Sequence, residues 1–382
     1  MKSYDYIICG FGCAGISLIR QIINSPLKDK NILIVDSDPK KKNDRTWCYW
    51  AESPLDLHPR NAPLVFWNKI KIISDHQVTE KNLEHLKYFH IKASDFYREA
   101  FDAIAEYPNI EFLQDSVDQI AEGNLDDMTV YLKENGPFKC QKVFNSIPPV
   151  VDFNSKMIKQ IFMGWEISFE SPILDPKVAT FMQFDQESIS PNDFFYVLPF
   201  SSKSALVEFT TYRTEMIGEN EMETYITKYL DKNYPGCTYN IQFKEKGCIP
   251  LTTFPMESSS PQRVIQLGTL AGCTKPSSGF TFYNIQKHCG EIVQKLQEEN
   301  YPGSQKWKRK SRFTFYDNIL LNIAKKWPSE LPEIFFTMFE KNPASQILKF
   351  LNEETTLSEE ISILWKLRFN IFIKSLLNYE RH

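Results

Sequence analysis

The chain has 382 residues, a formal net charge of −4, 42% hydrophobic residues and 14% aromatic residues, among them 29 Phe and 17 Tyr. This length accommodates two domains or one large α/β unit with an insertion, and the hydrophobic fraction excludes wholesale disorder. The negative balance gives nucleic-acid binding no global support, and the aromatic richness fits either an aromatic core or a large apolar pocket.

Met1 is followed at once by a strand pattern, with no basic-then-apolar leader, so no signal peptide is expected. In "YDYIICGFGCAG", Tyr6 to Cys9 are continuously apolar, as in a strand buried on both faces. Gly10, Gly12 and Gly15 then complete G-x-G-x-x-G: a tight turn, close backbone approach to a pyrophosphate, and close helix–strand contact. Ile16, Ile19, Ile22 and Ile23 recur at helical spacing, so the free N–H groups of a helix start would face the phosphates. Pro26 ends that helix region. "NILIVDSD" is a second apolar strand ending in Asp36, 21 residues after Gly15, close to where an acid meets ribose hydroxyls. Together these predict a dinucleotide site for FAD or NAD rather than NADP, since an acid suits a ribose with free hydroxyls. The alternative is a βαβ unit whose glycines serve only packing. No second such motif follows downstream, as a pyridine-nucleotide reductase with two nucleotide domains would usually carry.

"DRTWCYW" (44–50) crowds an Arg, two Trp and a Tyr after the second strand. It is either a packed loop, with aromatics stacked beside Arg, or it places Arg45 near a cofactor's ribityl or phosphate groups. Strand-like runs occupy 64–75 and 87–91. Residues 95–107 read as a helix with Asp95 as N-cap. Strands follow at 110–117, 128–134 and 140–149, the last stopped by Pro148 and Pro149. From about 160 to 250 alternating strands predict an antiparallel sheet that roofs a cofactor. The strand "VIQLG" then runs into a loop with Gly268, Gly272, Pro276 and Gly279, and a helix spans 280–296. This loop is either an ordinary βα turn or a second set of backbone N–H groups aimed at an anion.

From Trp307 onward the chain becomes helical, amphipathic and aromatic. "KWKRKSR" (306–312) reads as a solvated helix face, or as a contact for anionic lipid head groups. No run of about eighteen apolar residues is present, so nothing should span a bilayer. The eight Cys form no C-x-x-C pair, which predicts reduced thiols in a cytosolic protein and no metal site.

The opening "DYIICGFGCAG", "DRTWCYW", "MGWEI" (163–167), "FFYVLPFSSKSALVEFTTY" (194–212) and "LGTLAGCTKPSSGFTF" (267–282) together resemble the lycopene cyclases, flavoproteins of carotenoid synthesis. The carboxyl segment with "FYDNILL" and "ILKFLNEE" is also similar, and the likeness runs in order over nearly the whole chain. The resemblance implies a Rossmann-like FAD-binding α/β domain of the p-hydroxybenzoate hydroxylase type with an interleaved antiparallel sheet. On this reading residues 1–75, 140–160 and 255–300 form a discontinuous FAD-binding domain. Residues 76–139 and 161–254 form a substrate-binding sheet domain, and 301–382 a helical carboxyl-terminal region.

The implied activity is lycopene β-cyclase: a redox-neutral protonation of a terminal double bond, ring closure and proton loss to a β-ionone ring. Reduced FAD is required without net electron transfer, with NAD(P)H as an external reductant. The implied cofactor residues are Gly10, Gly12, Gly15, Asp36, Arg45, Gly268, Gly272, Pro276 and Gly279. Glu208 in "LVEFTTY" matches the family's acid–base carboxylate. Alternation puts it on one face with Leu206 and Thr210, and burial of that face would raise its pKa. Family members commonly carry a second acid next, where this chain has Phe209. An acid often found in "FMQF" is Gln183 here, and Ser278 and Phe280 stand where Thr and Tyr are common. Glu166 is a second candidate carboxylate or a structural one. An apolar polyene substrate implies peripheral docking at the inner face of the membrane through the aromatic carboxyl-terminal helices, without nucleic acid as partner. Two rival readings remain: a redox flavoenzyme of the same fold (monooxygenase or polyprenyl reductase), and a non-catalytic flavin- or lipid-binding protein.

Overall fold

The structure, a computed structural model, describes residues 2–74, 77–123, 127–148, 157–184, 190–254, 261, 263–298 and 307–382. Pro149 and Lys306, read above as part of a strand stop and of the basic cluster, lie outside the described residues.

The amino-terminal strand Ser3–Cys9 sits in the middle of a seven-stranded sheet, between Ile32–Asp36 and Pro137–Asn145 and parallel to both. Ile110–Gln114 extends the parallel part at one edge, and Ile265–Gln266 pairs in parallel with Pro137–Asn145. Met128–Leu132 and Val117–Glu122 complete it as antiparallel strands. The continuous apolar run is explained by burial on both sides. Tyr6 and Ile8 face helices Cys13–Ile23 and Phe282–Gln297, while Ile7 and Cys9 pack with Met128, Val130 and Val143. Each fully buried aliphatic side chain here contributes about 1.5–3 kcal/mol.

A second seven-stranded sheet runs in the order Tyr239–Pro250, Lys159–Phe169, Ser204–Arg213, Asp193–Pro199, Val178–Phe184, Lys69–Ser74, Gln77–Asn82. It is antiparallel except where Val178–Phe184 meets Lys69–Ser74. A small third sheet, Thr46–Ala51 with Lys87–Lys92 and Val65–Trp67, adjoins the others. One face of the second sheet is sealed by helix Glu219–Asn233. Its other face packs partly on the carboxyl-terminal helices Ser311–Lys326, Leu331–Glu340 and Ala344–Leu351. Helices Leu357–Leu364 and Phe369–Leu377 end the chain.

Three expectations need correction. The strands between 110 and 132 belong to the nucleotide-type sheet, not to the roof, and Lys69–Ser74 belongs to the roof. Helix Ala93–Ala105 carries the chain back to the first sheet's edge, where Phe112 packs on Phe11 and Phe101 at ring separations of 5.6 and 5.0 Å. That helix starts at Ala93, two residues before the expected cap. Its first N–H groups are taken by the loop that leads into Thr46–Ala51, Ala93 N donating to Arg45 O and Ser94 N to Asn43 Oδ1. Asp95 is therefore free to pair with Arg98 at 2.7 Å. Within 160–250, the helix Glu219–Asn233 interrupts what the alternation presents as strands alone.

Candidate active site

The carboxyl ends of the parallel strands open into a cavity of about 910 Å³. The glycine turn forms one wall, the loop after Gln266 a second, and the antiparallel sheet the roof. This is where an open α/β sheet presents its ligand crevice.

Gly10 has φ +94°, a left-handed conformation that disfavours side chains, and a Cβ there would stand 2.4 Å from Ser146 Oγ. A Cβ on Gly15 would meet Gly10 O at 2.0 Å, so Gly15 closes the helix onto the strand and does not itself line the cavity. Gly12 lines it with nothing within 4 Å of a Cβ position. No side chain caps helix Cys13–Ile23 and its first turn carries no acid, so its leading N–H groups suit an anion.

Asp36 lies at the cavity edge and already has work in the fold. It accepts hydrogen bonds from Phe11 N at 2.5 Å and Asp38 N at 2.8 Å, and Lys40 Nζ lies 3.3 Å away. It braces the glycine turn, and a carboxylate's further lone pairs leave room for another donor. Arg45 also lines the cavity. Its guanidinium is held by Asp44 at 2.9 Å, in turn fixed by Tyr97 OH at 2.9 Å, and its side chain is 55% exposed.

In the second loop Gly268 and Gly279 line the cavity, whereas Gly272 and Pro276 do not. Lys275, buried in this loop, pairs with Asp317 at 3.0 Å and Glu353 at 3.1 Å, tying the loop to the carboxyl-terminal helices. Arg309 joins the same two carboxylates and Arg312 pairs with Glu360. Two arginines of the basic cluster are therefore internal ties and not head-group contacts.

Glu208 projects from Ser204–Arg213 into the cavity. Thr210 Oγ1 donates to its Oε1 at 2.9 Å, but burial outweighs that bond and holds the carboxyl pKa well above the ordinary carboxylate range. The phenols of Tyr88 and Tyr196 line the same region and are pushed up chiefly by burial, with Glu208 adding to it. Glu166 is taken by Lys92 at 2.7 and 2.9 Å, which makes it a structural carboxylate. Gln183 faces helix Glu219–Asn233, accepting from Tyr229 OH at 2.6 Å.

Two residues near the cavity, Gln160 and Glu245, escaped the sequence reading. Gln160 Oε1 and Ser278 Oγ are buried at the cavity without a hydrogen-bond partner among the described residues. Glu245, on Tyr239–Pro250, is only 4% exposed. Its pKa is raised first by burial and then by the charge of Glu208, against Thr46 and Arg45. Set between Lys244 and Lys246 it reads as a surface residue. The signal that finds it is the alternation Glu245, Gly247, Ile249, which shares one face of the strand.

The sequence profile of the lycopene cyclase protein family matches residues 5–378, so the chain belongs to that family. No individual curated protein is similar enough to count as a relative. Several solved structures share the fold at low identity. A geranylgeranyl bacteriochlorophyll reductase-like protein from Thermoplasma acidophilum is 11% identical with a TM-score of 0.63, covering 99% of each chain. The flavin-dependent brominase Bmp2 is 10% identical at 0.64, again with 99% of each chain. The halogenase PltM, solved with phloroglucinol and FAD, is 12% identical at 0.55, covering 96% of this chain and 87% of its own. The architecture is that of the p-hydroxybenzoate hydroxylase type.

Proposed function

We propose that this family member closes β-ionone rings on the linear ends of lycopene, in a redox-neutral reaction that requires reduced FAD and uses Glu208 to move the proton. The observation that carries this reading is the placement of Glu208. Its carboxyl shares one cavity with both glycine loops, and burial favours its acid form.

The residues present fit FAD. The open backbone at Gly12 and the uncapped helix start suit a pyrophosphate, and Asp36 stands at the strand end where a ribose would lie. The unpartnered Ser278 Oγ and Gln160 Oε1 offer a polar pair to the flavin's hydrogen-bonding edge. Reduced FAD, when bound, supplies negative charge beside a cationic centre and no net electrons.

The protein's own part is acid–base chemistry in a dry pocket. The Glu208 O–H bond breaks as the proton adds to the inner carbon of the polyene's terminal double bond, leaving the cation on the carbon that bears the two methyl groups. The neighbouring double bond then closes the ring, and a ring C–H releases its proton to a carboxylate, leaving the ring double bond. Tyr88, Tyr196, Phe162 and Phe280 line this part of the cavity and offer ring faces to a positive charge. Exclusion of water keeps the cation from being captured.

Docking on a lipid surface is part of the same reading. Leu357, Ile361, Trp365, Phe369, Ile373 and Leu377 recur every four residues along the last two helices, and all are exposed, Trp365 by 72% and Leu377 by 80%. The opposite row, Ile363, Leu367, Ile371 and Ser375, is buried against the protein. Helices apolar on both faces need a second apolar neighbour. Exposed Arg368, Lys374 and Arg381 beside the stripe suit anionic head groups. No described helix is long and apolar enough to cross a membrane.

The test is expression in a lycopene-accumulating bacterium with pigment analysis. Ring-closed carotenoid of unchanged mass is expected. Unaltered lycopene in the presence of folded, flavin-loaded protein would overturn the reading, and a product with altered hydrogen or oxygen count would favour the redox rival.

A further inference from the structure

The register of the antiparallel sheet brings two carboxylates together around a glycine. Gly164 lies directly opposite Glu208 on one neighbouring strand and directly opposite Glu245 on the other. Residues in one such row point to the same face, so both side chains rise on one face of the sheet, on either side of a residue that has no side chain. A Cβ on Gly164 would stand 3.2 Å from both Cγ and Oε1 of Glu245, and 3.0 Å from Leu206 Cδ1. The Glu245 side chain thus lies over Gly164, in the space a side chain would otherwise fill.

Among the described residues no ion pair holds Glu245, and the cation that acts on it, Arg45, is itself paired with Asp44. Both oxygens of Glu245 are buried without a well-formed hydrogen bond, although the Thr46 hydroxyl and N–H stand nearby. Its flanking residues Lys244 and Lys246 pair with Glu223 and Glu219 on helix Glu219–Asn233. The ionisable groups acting on the pair are Arg45 from the loop before Thr46–Ala51, the Cys48 thiol and Tyr88 from the small third sheet, and Tyr196 beside Glu208. Arg45 is held by Asp44 at the cavity rim.

From this geometry we infer that Glu245 is the proton partner of Glu208, a positioning residue that acts across Gly164 to keep Glu208 supplied with a proton. The inference rests on the cyclase reading for its consequence but not for its structure. When Glu208 has given up its proton, the O–H bond of Glu245 breaks as that of Glu208 re-forms, and the pair regains its second proton from the substrate ring or from solvent. No oxidant or reductant enters. Two carboxyls so close resist carrying two negative charges, so the last proton of the pair stays to higher pH than a lone carboxyl in the same place would hold it.

The test uses the purified full chain and its Glu245→Gln, Glu208→Gln and Gly164→Ala variants. The carbonyl stretch of protonated carboxyl groups is followed by difference infrared spectroscopy against pH, without substrate. The unsubstituted protein should lose the pair's protons in two steps. Each Gln variant should lose its single remaining proton at a pH below the upper step, by about one unit. In Glu245→Gln the alkaline limb of cyclisation should move acidward by the same amount. A purely structural role would lower turnover at every pH and leave the limb in place. Gly164→Ala, which displaces the Glu245 carboxyl while keeping it, should give a smaller shift in the same direction and serves if Glu245→Gln does not fold. A Glu208 titration unchanged in both variants overturns the inference. Infrared coupling without any ring formation by the unsubstituted protein would instead overturn the cyclase reading and leave the pair standing.

Discussion

The two faces of the antiparallel roof share a backbone and behave as different solvents. On one, Val207 and Phe209 join Phe195 and Val197 beneath helix Glu219–Asn233, with Phe195 stacked on Tyr229 at 4.0 Å and Phe209 near Tyr225 at 5.0 Å. On the other, Leu206, Glu208 and Tyr196 border an open cavity, and Glu245 rises in the same row. One residue of register separates a sealed aromatic layer from a cavity wall. This explains why Phe209 is no loss to the cavity. An acid at 209 would point at Tyr225 and Tyr229, away from any substrate, and the second carboxyl of the cavity face comes from a different strand.

The largest way to break this contrast is on the reactive face. Glu208→Gln keeps shape and removes the transferable proton, so cyclisation should fall on the order of 10²–10⁴-fold while FAD binding persists. Turnover near that of the unsubstituted protein, measured as cyclised carotenoid per bound flavin, would remove Glu208 from the mechanism. The matching change on the sealed face acts on folding and not on chemistry. Phe209→Ala leaves a void beside Phe195 and Tyr225 and should cost about 3–5 kcal/mol in urea unfolding, with the pH profile of activity unmoved. A cost below about 1 kcal/mol would mean that the helix Glu219–Asn233 does not seal this face.

That contrast also marks what the sequence made legible. The glycine turn and Asp36 are legible as local structure, a left-handed turn at Gly10, a close approach at Gly15 and an acid ending a strand, whereas of the second loop's expected residues only Gly268 and Gly279 line the cavity. Glu208 was placed on the correct face by alternation, but its importance came from family resemblance, since a lone Glu on a strand is ordinarily solvated. Glu245 was invisible for a different reason. Its partnership with Glu208 depends on which strands neighbour Lys159–Phe169 and on the row in which Gly164 falls, properties of the assembled sheet. The same limit moved the domain boundaries. Nothing in "IEFLQ" announces that it pairs in parallel with Ile32–Asp36. Helix Glu219–Asn233 did have a local signal in the spacing of Met222, Ile226, Tyr229 and Leu230, masked by strands on either side.

A smaller effect sharpens the electrostatic half of the comparison. Folding raises the pKa of both Glu208 and Glu245, so the folded protein retains protons that the unfolded chain releases above the ordinary carboxyl range. Stability from this source therefore declines as pH rises from that range up to the raised values, and levels off beyond them. A Glu208→Gln/Glu245→Gln protein should show a shallower decline between pH 5 and 9 in the absence of cofactor. Its relative gain at the alkaline end should be on the order of 1–3 kcal/mol. Identical slopes in chemical denaturation would show that neither carboxyl is held in its acid form.

The smallest expected effect on the fold comes from the surface where the same two-faced logic recurs. The final helices present apolar rows on both sides, Ile363, Leu367 and Ile371 inward and Ile361, Trp365 and Ile373 outward, but here the second face is left exposed by the described residues. Substituting the outward row removes no buried neighbour, only the edge contact of Trp365 with the exposed Phe369 at 5.2 Å. Ile361→Ser/Trp365→Ser should therefore change stability by about 0.5 kcal/mol or less. Binding to vesicles containing anionic lipid should nevertheless weaken severalfold, and turnover of vesicle-borne lycopene should fall while turnover of detergent-solubilised substrate does not. Unchanged vesicle binding would detach this stripe from the membrane. A large loss of stability would instead show that the stripe is part of the core, and that only the roof of the cavity has two faces with separate duties.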